Sequence, residues 1–351
     1  LPKSCCGPAF CFWGELIGIA PVTFWETIDF ANRQITMKQF SPILILLLTL
    51  IACGPMARTA EDAEAYYDHA VGRGNQNDFD QAISDCTRAI EIDPTMQQAY
   101  FYRGLMRAKT GDFDKAIVDF TKAIELNPHD GGAYINRGFA WAQKGDLDRA
   151  IEDCTRAIEI NPNIAEAYTN RAGAWLGKGE LDRAIEDCTK ALQLEPQDRD
   201  ALTNRGFAWL GKGQFDQAIA DLTASLASDS RDCEIYAALG FAWLGKARFN
   251  QAIDAFTRSL TLNPLQATVY NNRGYAWAEI GELDKAQADY TRAIEIDPAY
   301  PSAYFNRAAV WFEKGDTERA MQDAEMAARL DPENMLYRFL VLSLKKHSSQ
   351  Q

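Results

Sequence analysis

The chain has 351 residues, 47% of them hydrophobic and 24% charged, ordinary globular proportions and enough for one large domain or two. Its 36 basic and 49 acidic residues leave a net charge of −13, and no basic run appears apart from Lys345-Lys346. A phosphate backbone would be repelled, which argues against nucleic acid as a partner.

Residues 1–36 begin with Leu and show neither a repeat nor a clean amphipathic pattern, while a complete signal starts afresh at Met37. They are expected to be translated sequence upstream of the true start. From Met37 a short basic start leads into an apolar stretch and then a small residue, Ala52. That stretch is too short to span a bilayer comfortably, and its order is that of an export signal over residues 37–52. Leu50-Ile51-Ala52-Cys53 resembles the bacterial lipobox, whose cysteine thiol takes a diacylglycerol before cleavage on its amino side. The resemblance implies that Cys53 is lipidated and becomes the mature first residue. Gly54, rather than Asp, implies an outer-membrane lipoprotein facing the periplasm by the sorting habit of well-known lipoproteins. Residues 53–62 form a tether of at most ~35 Å.

Beyond the tether, Trp141, Trp175, Trp209, Trp243, Trp277 and Trp311 are each 34 residues apart. Pro94, Pro128, Pro162, Pro196, Pro264, Pro298 and Pro332 keep the same count, with Ser230 in the one vacant slot. Eight units, beginning at Ala63, Gln97, Gly131, Ala165, Arg199, Cys233, Ala267 and Pro301, therefore cover residues 63–334 without an insertion. One unit reads Tyr134, Gly138, Trp141, Gly145, Ala150, Cys154, Ala157 and Pro162, a pattern that resembles the tetratricopeptide repeat. The resemblance implies an all-α, right-handed superhelical solenoid of eight helical hairpins that binds protein or peptide and carries out no chemistry.

Spacing alone supports two helices per unit. Positions 4, 8 and 11 recur at helical intervals in the first half, and positions 20, 24 and 27 in the second, giving two amphipathic stripes that face each other. Gly145 suits a left-handed cap ending the first helix, and Asp148 is expected to cap the second. The residue before each repeat-ending proline is pushed out of helical geometry. Residues 335–351 supply a capping helix, apolar on one side from Met335 and basic at Lys345-Lys346; a membrane-binding helix is its competing reading.

Position 7 is Arg in six units and position 23 is Asp in seven, and unit six loses both together, with Leu239 and Ala255. This covariation predicts an ion pair inside each hairpin, such as Arg171 with Asp187, with His69 opposite Asp85 in the first unit. Such pairing makes an anion-binding ladder unnecessary. Cys86, Cys154 and Cys188 share position 24 with Phe120, Leu222 and Phe256, so they read as small buried apolar groups.

The chemistry-bearing motifs fall to the same count. Gly206 to Lys212 and Gly240 to Lys246 imitate a phosphate-binding loop, but Gly213 and Ala247 stand where Ser or Thr is needed and no strand precedes. His69, His129 and His347 form no metal-ligand cluster, and no carboxylate pair is unique to one place, so no cofactor, metal or catalytic residue is expected.

The first helix of each unit has a second face, positions 2, 5, 6, 9, 12 and 13, which lines the concave side of a curved solenoid. There lie Asn136, Asn170, Asn204, Asn272 and Asn306 at position 6, and Phe139, Phe207, Phe241 and Tyr275 at position 9. An amide both donates and accepts, so a ladder of asparagines can pair with the backbone of an extended peptide while the aromatics form apolar pockets. Some superhelical members of the family use such a ladder. The other reading, asparagines that only brace the scaffold, stays open. Position 2 carries Glu64, Glu166, Asp200 and Glu234, unlike the basic clamp of the chaperone-tail-binding subfamily. The leading expectation is a lipid-anchored envelope scaffold holding an extended partner segment. The alternative is a structural subunit of an outer-membrane or pilus assembly machine, held by its convex face or end repeats.

Overall fold

The computed structural model describes residues 59–227 and 231–348. Residues 1–58, with the leader, the export signal and Cys53, lie outside the described residues, as does Ser230.

Helix boundaries follow the 34-residue count. The hairpins are α1 (Ala60–Asn75) with α2 (Phe79–Ile92), α3 (Gln97–Lys109) with α4 (Phe113–Leu126), and α5 (Gly131–Gln143) with α6 (Leu147–Ile160). Then come α7 (Ala165–Gly177) with α8 (Leu181–Leu194), α9 (Arg199–Gly211) with α10 (Phe215–Ser225), and α11 (Cys233–Gly245) with α12 (Phe249–Leu262). The last are α13 (Ala267–Glu279) with α14 (Leu283–Ile296), α15 (Pro301–Glu313) with α16 (Thr317–Leu330), and the single α17 (Met335–Ser348). Successive first helices touch one another, whereas no comparable contact joins successive second helices among the described residues. The first helices therefore line the inside of a curved stack.

The turn inside each hairpin needs a left-handed residue. Gly145 meets that need at φ +82°, and Asn77 and Ala247 do so in the first and sixth units at 61° and 54°. The cap of the second helix differs from expectation. Asp146 accepts from the Arg149 amide, and Asp78, Asp112 and Asp316 do likewise in their own units. Asp148 lies inside the helix, where it cannot cap. Its carboxylate instead meets Lys178 of the next hairpin, an arrangement repeated by Asp114–Lys144, Asp182–Lys212, Asp216–Lys246 and Asp284–Lys314. The residue before the proline is extended as expected, with Asn127 at φ −138° and ψ 91°. α10 ends early at Ser225.

Beside the facing stripes expected within each hairpin, the core has a further stripe between hairpins. Within a hairpin, Gly or Ala at position 8 meets positions 20 and 24, as with Ala70, Ala82 and Cys86. Between hairpins, positions 3 and 10 take over: Ala133 packs on Ala123, and Met106 joins Ala82 and Cys86 of the preceding unit. Tyr168 and Tyr236 are buried in the core, while Trp at position 11 and most other Tyr at position 4 flank these small residues and stay half-buried. Their exposed faces carry cations, with Arg149 4.4 Å over Trp141 and Arg137 5.6 Å over Tyr134. On α17, Tyr337 and Leu344 are buried and Leu344 closes the core of the eighth unit, while Met335, Leu336, Phe339 and Leu342 remain exposed.

Candidate functional site

The inner face is held in register by the ion pairs behind it. Arg171 donates from Nε and Nη2 to both carboxylate oxygens of Asp187 at 2.7 Å, and from Nη1 to Thr155 of the preceding unit at 3.0 Å. The same geometry recurs at Arg103, Arg137, Arg205, Arg273 and Arg307. Each guanidinium thus closes its own hairpin and ties it to the one before. The aspartates are buried, and Asp187 is 6% exposed. In the first unit Asp85 pairs with Arg73 at 2.9 Å rather than with His69, because position 11 there holds a long cation instead of Trp. Arg107 plays the same part for Asp119 in the second unit.

Against this backing the predicted asparagines divide. Asn136 and Asn272 donate to carbonyls four residues back in their own helices, Gly132 at 2.8 Å and Thr268 at 2.7 Å. Asn204 and Asn306 reach the preceding first helix, donating to Thr169 O at 3.4 Å and Asn271 Oδ1 at 3.0 Å. Asn170 has no partner among the described residues and is half-buried. The aromatics divide too. Phe139 and Tyr275 are 41% and 42% exposed and stand edge-on to Phe113 and Phe249 of the preceding units. Phe207 and Phe241 turn inward instead, Phe207 against the Leu222 cluster and Phe241 against Phe256 at 5.2 Å.

α5, α7 and α9 bring part of the predicted set together. A groove of about 380 Å³ is lined by Phe139, Thr169, Asn170, Asp200, Thr203 and Asn204, with Gly173 at its floor. Gly173 occupies the position that Phe139 and Phe207 hold in the neighbouring units, so the missing ring opens the space. Asn272, Asn306 and Tyr275 lie farther along the array and outside this groove. Thr169 is a contributor that sequence reasoning passed over: its hydroxyl donates to Asp198 at 2.6 Å while its carbonyl holds Asn204. The thiols of Cys86, Cys154 and Cys188 are pushed up to about 12 by burial, which keeps them protonated and unreactive.

Tetratricopeptide-repeat models match residues 98–130, 132–164, 165–198 and 63–96, and a TPR repeat model matches 277–315. The chain is a tetratricopeptide-repeat protein. Repeats of this family are scaffolds for binding proteins and peptides. No curated protein matches the chain. Among solved structures, pilF of Pseudomonas aeruginosa is 22% identical with a TM-score of 0.53, over 61% of this chain and 97% of that one. A chain of the APC/C hetero-tetramer Cut9-Hcn1 is 18% identical with a TM-score of 0.55, over 84% of this chain and 58% of its own length. These likenesses concern the fold. YrrB, described as a TPR protein with an unusual peptide-binding site, is 26% identical over 56% of this chain and 99% of its own, with a TM-score of 0.49.

Proposed function

We propose that this tetratricopeptide-repeat protein holds an extended polypeptide segment on the inner face of its third to fifth repeats, and does so from a lipid tether at Cys53. The observation that carries the groove reading is the Asn170 amide, half-buried and unpartnered beside Asn204 and the exposed ring of Phe139. A peptide backbone offers the alternating carbonyl and amide that such a side chain can pair with, and Phe139 offers it an apolar wall. The asparagines that brace the scaffold spend one N–H each on it, leaving their carbonyl oxygens for a partner. Both sequence readings are therefore compatible, at different atoms of the same side chains.

Asn170→Ala is the discriminating variant, since it removes no internal hydrogen bond. It is expected to weaken partner binding about fivefold or more while leaving the thermal midpoint unchanged, as one hydrogen bond of ~1 kcal/mol or more requires. Isothermal titration against the partner segment checks this, and unchanged affinity refutes the groove reading.

The tether rests on the residues around Cys53, and the periplasm-facing outer-membrane location rests on Gly54. Mass spectrometry of the mature amino terminus is expected to find an acylated Cys53. An unmodified cysteine within a longer mature chain refutes that part alone.

A further inference from the structure

The inner-face positions carry a one-sided charge. Over the eight repeats, positions 2, 5, 6, 9, 12 and 13 of the first helix hold seven carboxylates and a single cation, Lys109. Lys109 stacks on Phe79 at 5.6 Å, outside the groove of α5, α7 and α9. In repeats four to six the acids are Glu166, Asp200 and Glu234, all at position 2 and all exposed.

Several other acids in the middle of the array are paired with cations. Asp148, Asp182 and Asp216 meet lysines of the following hairpin, and Asp187 and Asp221 are clamped by arginines. Glu166, Asp200 and Glu234 have no ion-pair partner among the described residues. Asp200 borders the groove directly, next to Asn204 and Thr203. One repeat earlier, Glu166 reaches solvent. Even so, its carboxyl is held above its usual range, first by the atoms crowding it and then by the carboxylates of Asp198 and Glu195. Asp198 adds charge without being available, because it already accepts from the Thr169 hydroxyl and the amides of Asp200 and Ala201.

We infer that the groove takes a cationic segment: an extended stretch of polypeptide with lysine or arginine side chains that settle against Asp200, Glu166 and Glu234. The inference rests on the groove reading and adds the chemical class of the occupant. Successive first helices are roughly 10 Å apart, and an extended chain in the polyproline II form advances about 3.1 Å per residue with three residues per turn, so a cation at every third residue stays on one side and meets one acid per repeat. A bound cation removes the mutual repulsion of the inner-face acids; an acidic segment increases it. Complementary charge of this kind selects the partner and speeds its arrival.

The test uses the full chain and three fluorescent twelve-residue peptides of Ala, Ser and Thr, with Lys, Gln or Glu at every third position, read by anisotropy. The Lys peptide is expected to bind about tenfold tighter than the Gln peptide, and the Glu peptide least, with the preference falling as salt rises. Affinity for the Lys peptide is also expected to fall as pH is lowered through the raised Glu166 range. The reason is that the bound cation stabilises the ionised carboxylate, which protonation removes. The variant Glu166→Gln/Asp200→Asn, isosteric at two exposed positions, should bring the Lys and Gln peptides to equal affinity. Equal affinity for the Lys and Gln peptides, or a preference that survives the double variant, overturns the cation inference while the groove reading stands. If no peptide binds, or if Asn170→Ala leaves Gln-peptide affinity unchanged, the groove reading fails and this inference fails with it.

Discussion

Position 8 of each repeat shows how one atom decides what the neighbouring helix can carry. A methyl group added at Gly240 would lie 2.3 Å from the Phe256 ring, and at Gly274 2.8 Å from Tyr290, both fully buried rings. At Gly138 the nearest atom is the Cys154 sulfur at 3.1 Å, and the fourth repeat already pairs Ala172 with Cys188. Cysteine at position 24 is thus the small partner that tolerates alanine at position 8. Gly240→Ala is expected to lose about 1–2 kcal/mol, overpacking outweighing the gain in helix propensity. Gly138→Ala should stay within about 1 kcal/mol of the parent, since the same gain offsets a milder contact. Urea unfolding of the two variants side by side checks this, and equal losses would contradict the pairing of positions 8 and 24.

Between helices, the guanidinium of position 7 does two jobs at once. Arg171 neutralises buried Asp187 within its hairpin and binds Thr155 of the hairpin before it. Removing only the cation leaves a carboxylate in the interior without compensation. Arg171→Leu is therefore expected to cost about 3 kcal/mol, while Arg171→Leu/Asp187→Ala should return to within about 1 kcal/mol of the parent. The sixth repeat carries that double replacement naturally, as Leu239 and Ala255. A double variant as unstable as the single one would show that the pair itself supplies the stability.

The hairpins and their ion pairs were legible in the sequence because covariation between positions 7 and 23 and the 34-residue count both cross the whole array. The threonine link was not, since nothing in one repeat marks its position-25 hydroxyl as belonging to the next. The inter-hairpin stripe at positions 3 and 10 was hidden for a related reason. It is mostly alanine, such as Ala133 and Ala140, and alanine carries little of the hydrophobic signal that reveals periodicity. Asp148 misled because both Asp146 and Asp148 precede or open the helix, and only backbone geometry separates a cap from a first-turn acid.

At the scale of the whole molecule, a stack in which each hairpin contacts only its neighbours leaves a continuous inner face available to a partner. Which residues could line it was legible, because helical spacing fixes their side. Which of them are free was not, because a hydrogen bond within one helix and a bond across two repeats look identical in the sequence. Asn136, Asn204, Asn272 and Asn306 are partly committed, Phe207 and Phe241 turn to the core, and Asn170 with Phe139 emerges as the open part. The groove lies in the middle of the array, with two repeats before α5 and three after α10. The most direct test places a photo-crosslinking amino acid at Phe139, on the inner face, and in a second variant at Val118, which is 66% exposed on the second helix of its repeat. The account predicts that the partner segment is captured from position 139 and not from position 118; capture from 118 alone would contradict it.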